Sequence, residues 1–94
     1  MSLLRVPDRT LNVLEEIGDE RLRQDRKWGE QNHDLALWMV ILMEEVGEAA
    51  KAVFEKSAQE YRGELIQIAA VAASAVESFD RQARREPYDQ LSGQ

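Results

Sequence analysis

Carboxylates at helical spacing are the side chains of this sequence best suited to chemistry. Glu44, Glu45 and Glu48 lie within five residues, as i, i+4 and i, i+3 neighbours on a helix. Like charges at these spacings destabilise a bare helix, whereas a bound cation turns the same cluster into a site. The alternative interpretation is a solvated polar stripe that continues through Lys51 and Glu55.

A further carboxylate, Glu64, falls among apolar residues on a helical wheel. An unpaired charge there is disfavoured, so Glu64 needs a basic partner, access to water or a metal ion. If two helices pair antiparallel, the glutamates of the first approach Glu64, with Glu60 and Gln67 on its flanks. Oxygen donors suit Mg²⁺ or Mn²⁺, whereas zinc is disfavoured because the chain has no cysteine and one histidine.

Helices must position these carboxylates. The two prolines lie near the chain ends and Ala, Leu, Glu, Gln and Arg dominate, which favours helices. We predict one all-α domain over residues 1–94, with three main helices and no sheet. The predicted segments are helix one at 8–27 with Asp8 as N-cap, helix two at 35–56 capped by Asp34, helix three at 58–85, and a mobile tail at 86–94. The short link between helices two and three predicts an antiparallel hairpin.

Helix three carries more apolar surface than one small chain can cover. Its broad apolar face includes Tyr61, Leu65 and Phe79, and between Leu65 and Val76 it is apolar over most of its circumference. We therefore expect the helical bundle to be completed by self-association, as a dimer or tetramer. Gly47, inside helix two, costs up to about 1 kcal/mol relative to Ala and indicates a close helix contact.

Charge and composition narrow the possible partners. Eighteen acidic and twelve basic residues give a net charge of −6, which repels polyanions and argues against a nucleic-acid polymer as partner. A phosphate substrate would need a bridging cation. The lack of cysteine, of a long apolar segment and of a secretory leader predicts a cytoplasmic protein that does not enter a membrane.

The carboxylate spacing has a known parallel. Glu44-Glu45-x-x-Glu48 followed by Glu64-x-x-Gln67 resembles the acidic signature of the MazG-like nucleotide pyrophosphohydrolases, in the all-α NTP pyrophosphatase superfamily. Residues 27–32, Lys-Trp-Gly-Glu-Gln-Asn, are similar to short members of that family. The resemblance implies a Mg²⁺-dependent or Mn²⁺-dependent enzyme that hydrolyses a nucleoside triphosphate, expected to be a deoxynucleotide, to the monophosphate and pyrophosphate. Such enzymes often have a house-cleaning role in cellular nucleotide pools.

The resemblance also implies roles for individual residues. It places Glu44, Glu45, Glu48 and Glu64 in the metal shell, with one of them as general base. Gln67 stands where the family has an aspartate, and its amide oxygen still coordinates hard cations. Candidate substrate contacts are Lys27, Lys51 and Arg62 for the phosphates, Trp28 and Gln31 for the base, and Glu60 beside the carboxylates.

Each functional interpretation has a structural alternative. The basic side chains also fit ordinary surface charges, and residues 31–33 fit a polar loop. Trp38 occupies a core-compatible position, and the basic end of helix three, which includes Arg81, fits complementation of the helix dipole. The rival function is a non-catalytic helical interaction module with an acidic face. It accounts for the amphipathic helices and explains poorly why Glu64 lies on an apolar face.

Overall fold

Three α-helices form the part of the chain that the structure, a computed structural model, describes: residues 5–55 and 57–83. α1 comprises Asp8–Trp28, α2 comprises Leu35–Phe54 and α3 comprises Ala58–Ala83. These residues form no strand, and the predicted all-α class with three helices is confirmed. Lys56, the predicted last turn of helix three at 84–85 and the predicted tail at 86–94 lie outside the described residues.

Of the two predicted N-caps, one is present in the structure. Asp34 caps α2 as predicted, because its side chain accepts a hydrogen bond of 2.8 Å from the backbone N–H of Leu37. The predicted cap of α1 is wrong. Asp8 is already the first helical residue, and the cap position belongs to Pro7, whose carbonyl accepts from the N–H of Leu11 at 3.0 Å. Proline has no side-chain acceptor, so no side chain caps this end.

The core lies where α3 packs against its neighbours, and α3 contacts both α1 and α2. The buried residues are Trp38, Ala49 and Ala52 on α2, and Ala70, Val71, Ser74 and Ser78 on α3. Small residues dominate because helix axes approach closely only where the facing side chains are short. Tyr61 and Leu65, expected on the apolar face of helix three, are 40 % and 42 % exposed.

α1 contributes no fully buried residue, and two ion pairs link it to α3. The guanidinium group of Arg21 donates to Glu77 at 2.7 and 3.2 Å, and Arg62 donates to Glu16 at 2.6 and 2.8 Å. The side chain of Arg21 is only 13 % exposed, so its ion pair is the better shielded of the two. Among the described helices, none combines the length and the apolar character needed to cross a membrane.

Candidate functional site

Glu45 of α2 and Glu64 of α3 meet between the two helices, and we call them the carboxyl pair. Both residues are half-buried. The pKa of Glu45 is raised, first by burial, then because its protonated carboxyl group donates a hydrogen bond to Glu64, and then by repulsion from Glu64, Glu48 and Glu20. Two carboxyl groups so placed share a proton or require a cation between them.

A small cavity has Glu64 of the carboxyl pair in its lining, and we call it the acidic cavity. Its volume is about 100 Å³, and its lining consists of Glu48, Lys51, Ala52, Glu55, Glu60 and Glu64. Four carboxyl groups thus surround a single ammonium group. The predicted residues Glu48, Glu60, Glu64 and Lys51 are therefore brought together, and Glu55 joins them.

The carboxyl groups suit a hard cation in kind, yet they are not gathered into a finished metal site. Within residues 5–55 and 57–83, no three His, Asp or Glu side chains are arranged so that they could hold a metal ion. Glu44 is exposed on α2 and does not line the acidic cavity. Glu48 is exposed as well, so its side chain is free to change rotamer.

A larger cavity has Glu45 of the carboxyl pair in its lining, and we call it the basic cavity. Its volume is about 360 Å³. Its lining comprises Arg23, Gln24, Lys27 and Trp28 of α1, Gln31 of the following loop, Trp38, Ile41 and Glu45 of α2, and Gln67, Val71 and Ser74 of α3. Its titratable groups are two cations and the raised-pKa carboxyl of Glu45. Three predicted substrate contacts, Lys27, Trp28 and Gln31, thus line one cavity together with Gln67.

The two tryptophans play different parts in this cavity. Trp28 is 60 % exposed, and the Lys27 ammonium lies 4.7 Å from its ring centroid, a cation–π contact. Trp38 is 4 % exposed and packs edge-on against His33 with ring centroids 4.8 Å apart. The Trp38 indole Nε1 donates to no acceptor in the described part of the chain. Trp38 is therefore both a core residue, as its position suggested, and a cavity wall.

The loop between α1 and α2 is tied to the end of α3. Arg81 donates to the carbonyl of Gln31 and to the side chain of Asn32, each at 3.0 Å, and Gln82 donates to the carbonyl of His33 at 3.2 Å. These bonds fix the backbone that carries Gln31 to the basic cavity. Arg81 therefore does more than complement the helix dipole, because its guanidinium reaches the carbonyl of another segment.

The loop itself begins at Gly29, where α1 ends. The Gly29 backbone has φ +74°, a left-handed conformation that favours glycine, and its N–H donates to the carbonyl of Asp25 at 2.9 Å. A side chain at this position would strain the turn that directs the loop from Trp28 toward Gln31.

The remaining predicted contact, Arg62, lies apart from both cavities. Its ion pair with Glu16 borders a groove of about 440 Å³ between α1 and α3, which Gln67 and Arg23 also line. Two residues that sequence reasoning missed face the site from α1: Glu20, which contributes to the raised pKa of Glu45, and Arg23. The sequence signal that could have identified Arg23 is its i, i+4 spacing to Lys27, which places the two side chains on one helix face.

Comparisons of the chain with protein-family models, with curated proteins and with solved structures found no match. Function is therefore inferred from the carboxyl pair, from the two cavities that its members line, and from the motif resemblance described above.

Proposed function

We propose that this chain is a Mg²⁺-dependent nucleoside triphosphate pyrophosphohydrolase of the MazG-like kind. The observation that carries the proposal is the carboxyl pair, of which Glu64 lines an acidic cavity and Glu45 lines a basic cavity. Carboxylates on rigid helices hold hard cations, and a basic pocket with aromatic walls holds an anionic aromatic ligand.

In the proposed reaction a water attacks the α-phosphorus. The bond from that phosphorus to the bridging oxygen breaks, pyrophosphate leaves, and the nucleoside monophosphate remains. Mg²⁺, when bound, neutralises the triphosphate and lowers the pKa of the attacking water. Glu45, Glu48 and Glu64 would hold the ion, and one carboxylate of this group accepts the proton that the water loses.

The basic cavity is the proposed place for the nucleotide. Its volume of about 360 Å³ lies within the range of small-molecule sites, about 300–1,000 Å³. The exposed ring of Trp28 is available to stack on a base, and the Gln31 amide is available to hydrogen-bond a base edge. We propose a deoxynucleoside triphosphate as substrate and house-cleaning of nucleotide pools as the role.

The proposed architecture includes the antiparallel hairpin of α2 and α3. The bond from the Ser57 N–H to the Ala52 carbonyl at one end, and that from Gln82 to the His33 carbonyl at the other, support it. A hairpin brings Glu45 and Glu64 together even though nineteen positions separate them in the chain.

Self-association is also proposed, because α2 presents an apolar face to the outside. Its exposed large side chains are Leu37, Met39, Val40, Met43, Val46, Val53 and Phe54. Gly47 lies exposed among them, and in the described structure a Cβ built there would meet no atom within 4 Å. The close contact expected at Gly47 is thus not made among residues 5–55 and 57–83, and we propose that a second copy provides it. Light scattering should give at least twice the 10.8 kDa chain mass at micromolar concentration; a monomer mass would refute this part.

The activity is tested by pyrophosphate release from a panel of canonical and modified nucleoside triphosphates. We expect release that requires Mg²⁺ or Mn²⁺ and that stops when EDTA is added. A panel in which no triphosphate yields pyrophosphate at any metal concentration would overturn the proposal.

The second candidate is a non-catalytic helical interaction module. The exposed apolar face of α2 favours it, above all Phe54 at 85 % exposure, because such surface marks protein interfaces. Equilibrium binding of Mn²⁺ separates the two candidates, since an interaction module has no reason to bind the ion. Binding that is lost in Glu64→Gln supports the enzyme, and absence of binding supports the module.

A further inference from the structure

Arg23 and Lys27 place two cations on one wall of the basic cavity. They are i, i+4 neighbours on α1, so their Cα atoms are about 6 Å apart along the axis and point to the same side. Both line the cavity that also contains Glu45. In a chain of net charge −6, this wall gathers two cations at one cavity, which is the arrangement that an anionic ligand requires.

A neighbouring carboxylate holds the Arg23 guanidinium in a defined orientation. Glu20 accepts from Arg23 Nε at 2.9 Å and from Nη2 at 2.6 Å, and the Glu20 side chain is only 14 % exposed. Gln24 adds a longer bond of 3.5 Å to Glu20. Because a guanidinium group has five N–H donors, the pairing with Glu20 uses two and leaves three for another ligand.

Other donors line the same cavity. Trp38 is only 4 % exposed, and its indole Nε1–H has no acceptor among the described residues. Gln24, Gln31 and Gln67 add amide groups. A forked guanidinium beside an ammonium group matches the oxygens of a phosphate chain, which accepts several hydrogen bonds at once.

We propose that Arg23, oriented by Glu20, and Lys27 form an anion subsite that binds the diphosphate end of the substrate, the part that leaves as pyrophosphate. The identity of the ligand rests on the proposed function, whereas the subsite itself rests on the geometry of α1. Arg23 binds the anion directly, and Glu20 is a positioning residue that acts through Arg23.

The test is calorimetric binding of inorganic pyrophosphate in EDTA, which isolates the basic residues from any metal. Arg23→Gln should weaken binding about tenfold, equivalent to about 1.4 kcal/mol and near the net contribution of a hydrogen bond to a charged group. Arg26→Gln is the matched control, because Arg26 is exposed on the same helix and does not line the cavity. It should change affinity less than twofold.

Two further variants separate binding from folding. Arg23→Lys keeps the charge without the fork, so its affinity should lie between those of the wild type and Arg23→Gln. Glu20→Gln should raise KM for the triphosphate while leaving kcat within about twofold, whereas a general folding defect would lower the active fraction and hence kcat. Equal affinities of Arg23→Gln and Arg26→Gln for pyrophosphate would overturn the subsite.

The outcome is distinguishable from failure of the proposed function. Wild-type protein that binds pyrophosphate through Arg23 but hydrolyses no triphosphate would refute the enzyme and keep the subsite. Wild-type turnover together with unchanged pyrophosphate affinity in Arg23→Gln would keep the enzyme and refute the subsite.

Discussion

The basic and acidic cavities each have one member of the carboxyl pair in their lining, Glu45 and Glu64 respectively, and they differ in almost everything else. The basic cavity, about 360 Å³, has two tryptophans and two cations in its lining, whereas the acidic cavity, about 100 Å³, has four carboxyl groups and no aromatic ring. At about 30 Å³ per water, the smaller volume accommodates roughly three waters, or an ion that has exchanged part of its hydration shell for carboxylate oxygens. One side is thus suited to an organic anion and the other to a cation, and Glu45 and Glu64 are where the two would meet.

The largest effect is expected from removing a carboxylate that lines the acidic cavity. Glu64→Gln should lower kcat for pyrophosphate release about 100-fold or more, because losing a charge that holds the cation removes roughly 3 kcal/mol from transition-state stabilisation. Glu48→Gln should act in the same direction, and circular dichroism of both variants should match the wild type. Glu15→Gln, exposed on α1, is the control. Near-normal turnover in Glu64→Gln, or an equal loss in Glu15→Gln, would contradict the assignment of the acidic cavity to a cation.

A substitution in the basic cavity, three residues after Glu64, sharpens the comparison. Gln67 lines the basic cavity and lies three residues after Glu64, so Gln67→Asp adds a carboxylate close to the pair. Mg²⁺ affinity should rise about tenfold, roughly 1.4 kcal/mol, as measured by calorimetry. Asn12→Asp adds the same charge at an exposed position on α1 and should leave the affinity unchanged. A lower Tm of Gln67→Asp that Mg²⁺ does not restore would place residue 67 outside the metal's reach.

Weakening the contact between α1 and α3 should affect ligand binding in the basic cavity more than catalysis. Arg21→Gln removes the shielded bond to Glu77 and should destabilise by about 1 kcal/mol, a fall in Tm of about 4–8 °C. The Arg21 hydrogen bond lowers the pKa of Glu77, so this stabilisation is present above the usual carboxyl pKa of 4.5 and fades as the pH falls below it. KM should rise more than kcat falls, because α1 contributes to the wall of the basic cavity.

The matched control for Arg21→Gln is loss of the exposed pair between Arg62 and Glu16. Glu16→Gln should shift the Tm by less than about 3 °C, since exposed ion pairs contribute little. Thermal melts that show equal shifts in Arg21→Gln and Glu16→Gln would mean that shielding of the Arg21 pair does not matter.

The smallest expected effect tests the carboxyl pair without metal. Glu45→Gln should raise the Tm at pH 7 by about 2–4 °C, because a like-charge contact of roughly 0.5 kcal/mol is relieved. The raised pKa of Glu45 means that the folded protein keeps this proton to higher pH than the unfolded chain, so stability falls as the pH rises above 4.5. The difference between variant and wild type should therefore vanish as the pH is lowered toward 4.5. The exposed neighbour Glu44 supplies the control, and an equal rise in Glu44→Gln would contradict the pairing of Glu45 with Glu64.

Local sequence signals were enough for the three helices and for one of the two predicted caps. Composition predicts three helices, and the Asp34 cap of α2 is present as a hydrogen bond to Leu37. The core was harder to predict, because a helical wheel ranks Tyr61 and Leu65 by hydrophobicity and does not say which face has a partner. The neighbouring helices pack instead on short side chains such as Ala70 and Ser78.

Contacts between distant segments could not be predicted from spacing. Arg81 reaches the Gln31 carbonyl because of the path of the loop, fifty residues earlier in the chain. Glu55 was expected on an outer polar stripe but lines the acidic cavity with Glu64. Both outcomes depend on how the helices are rotated about their axes, which no single-helix pattern specifies.

The unequal exposure of the two tryptophans gives this protein a built-in optical readout. Trp28 at 60 % exposure should emit at long wavelength and be quenched by iodide, whereas Trp38 at 4 % should emit at shorter wavelength and resist the quencher. Because both indoles line the basic cavity and no other tryptophan is present, the two emission components report separately on its mouth and its floor. A ligand that covers the mouth would protect the iodide-sensitive component, and local opening of the core would expose the other.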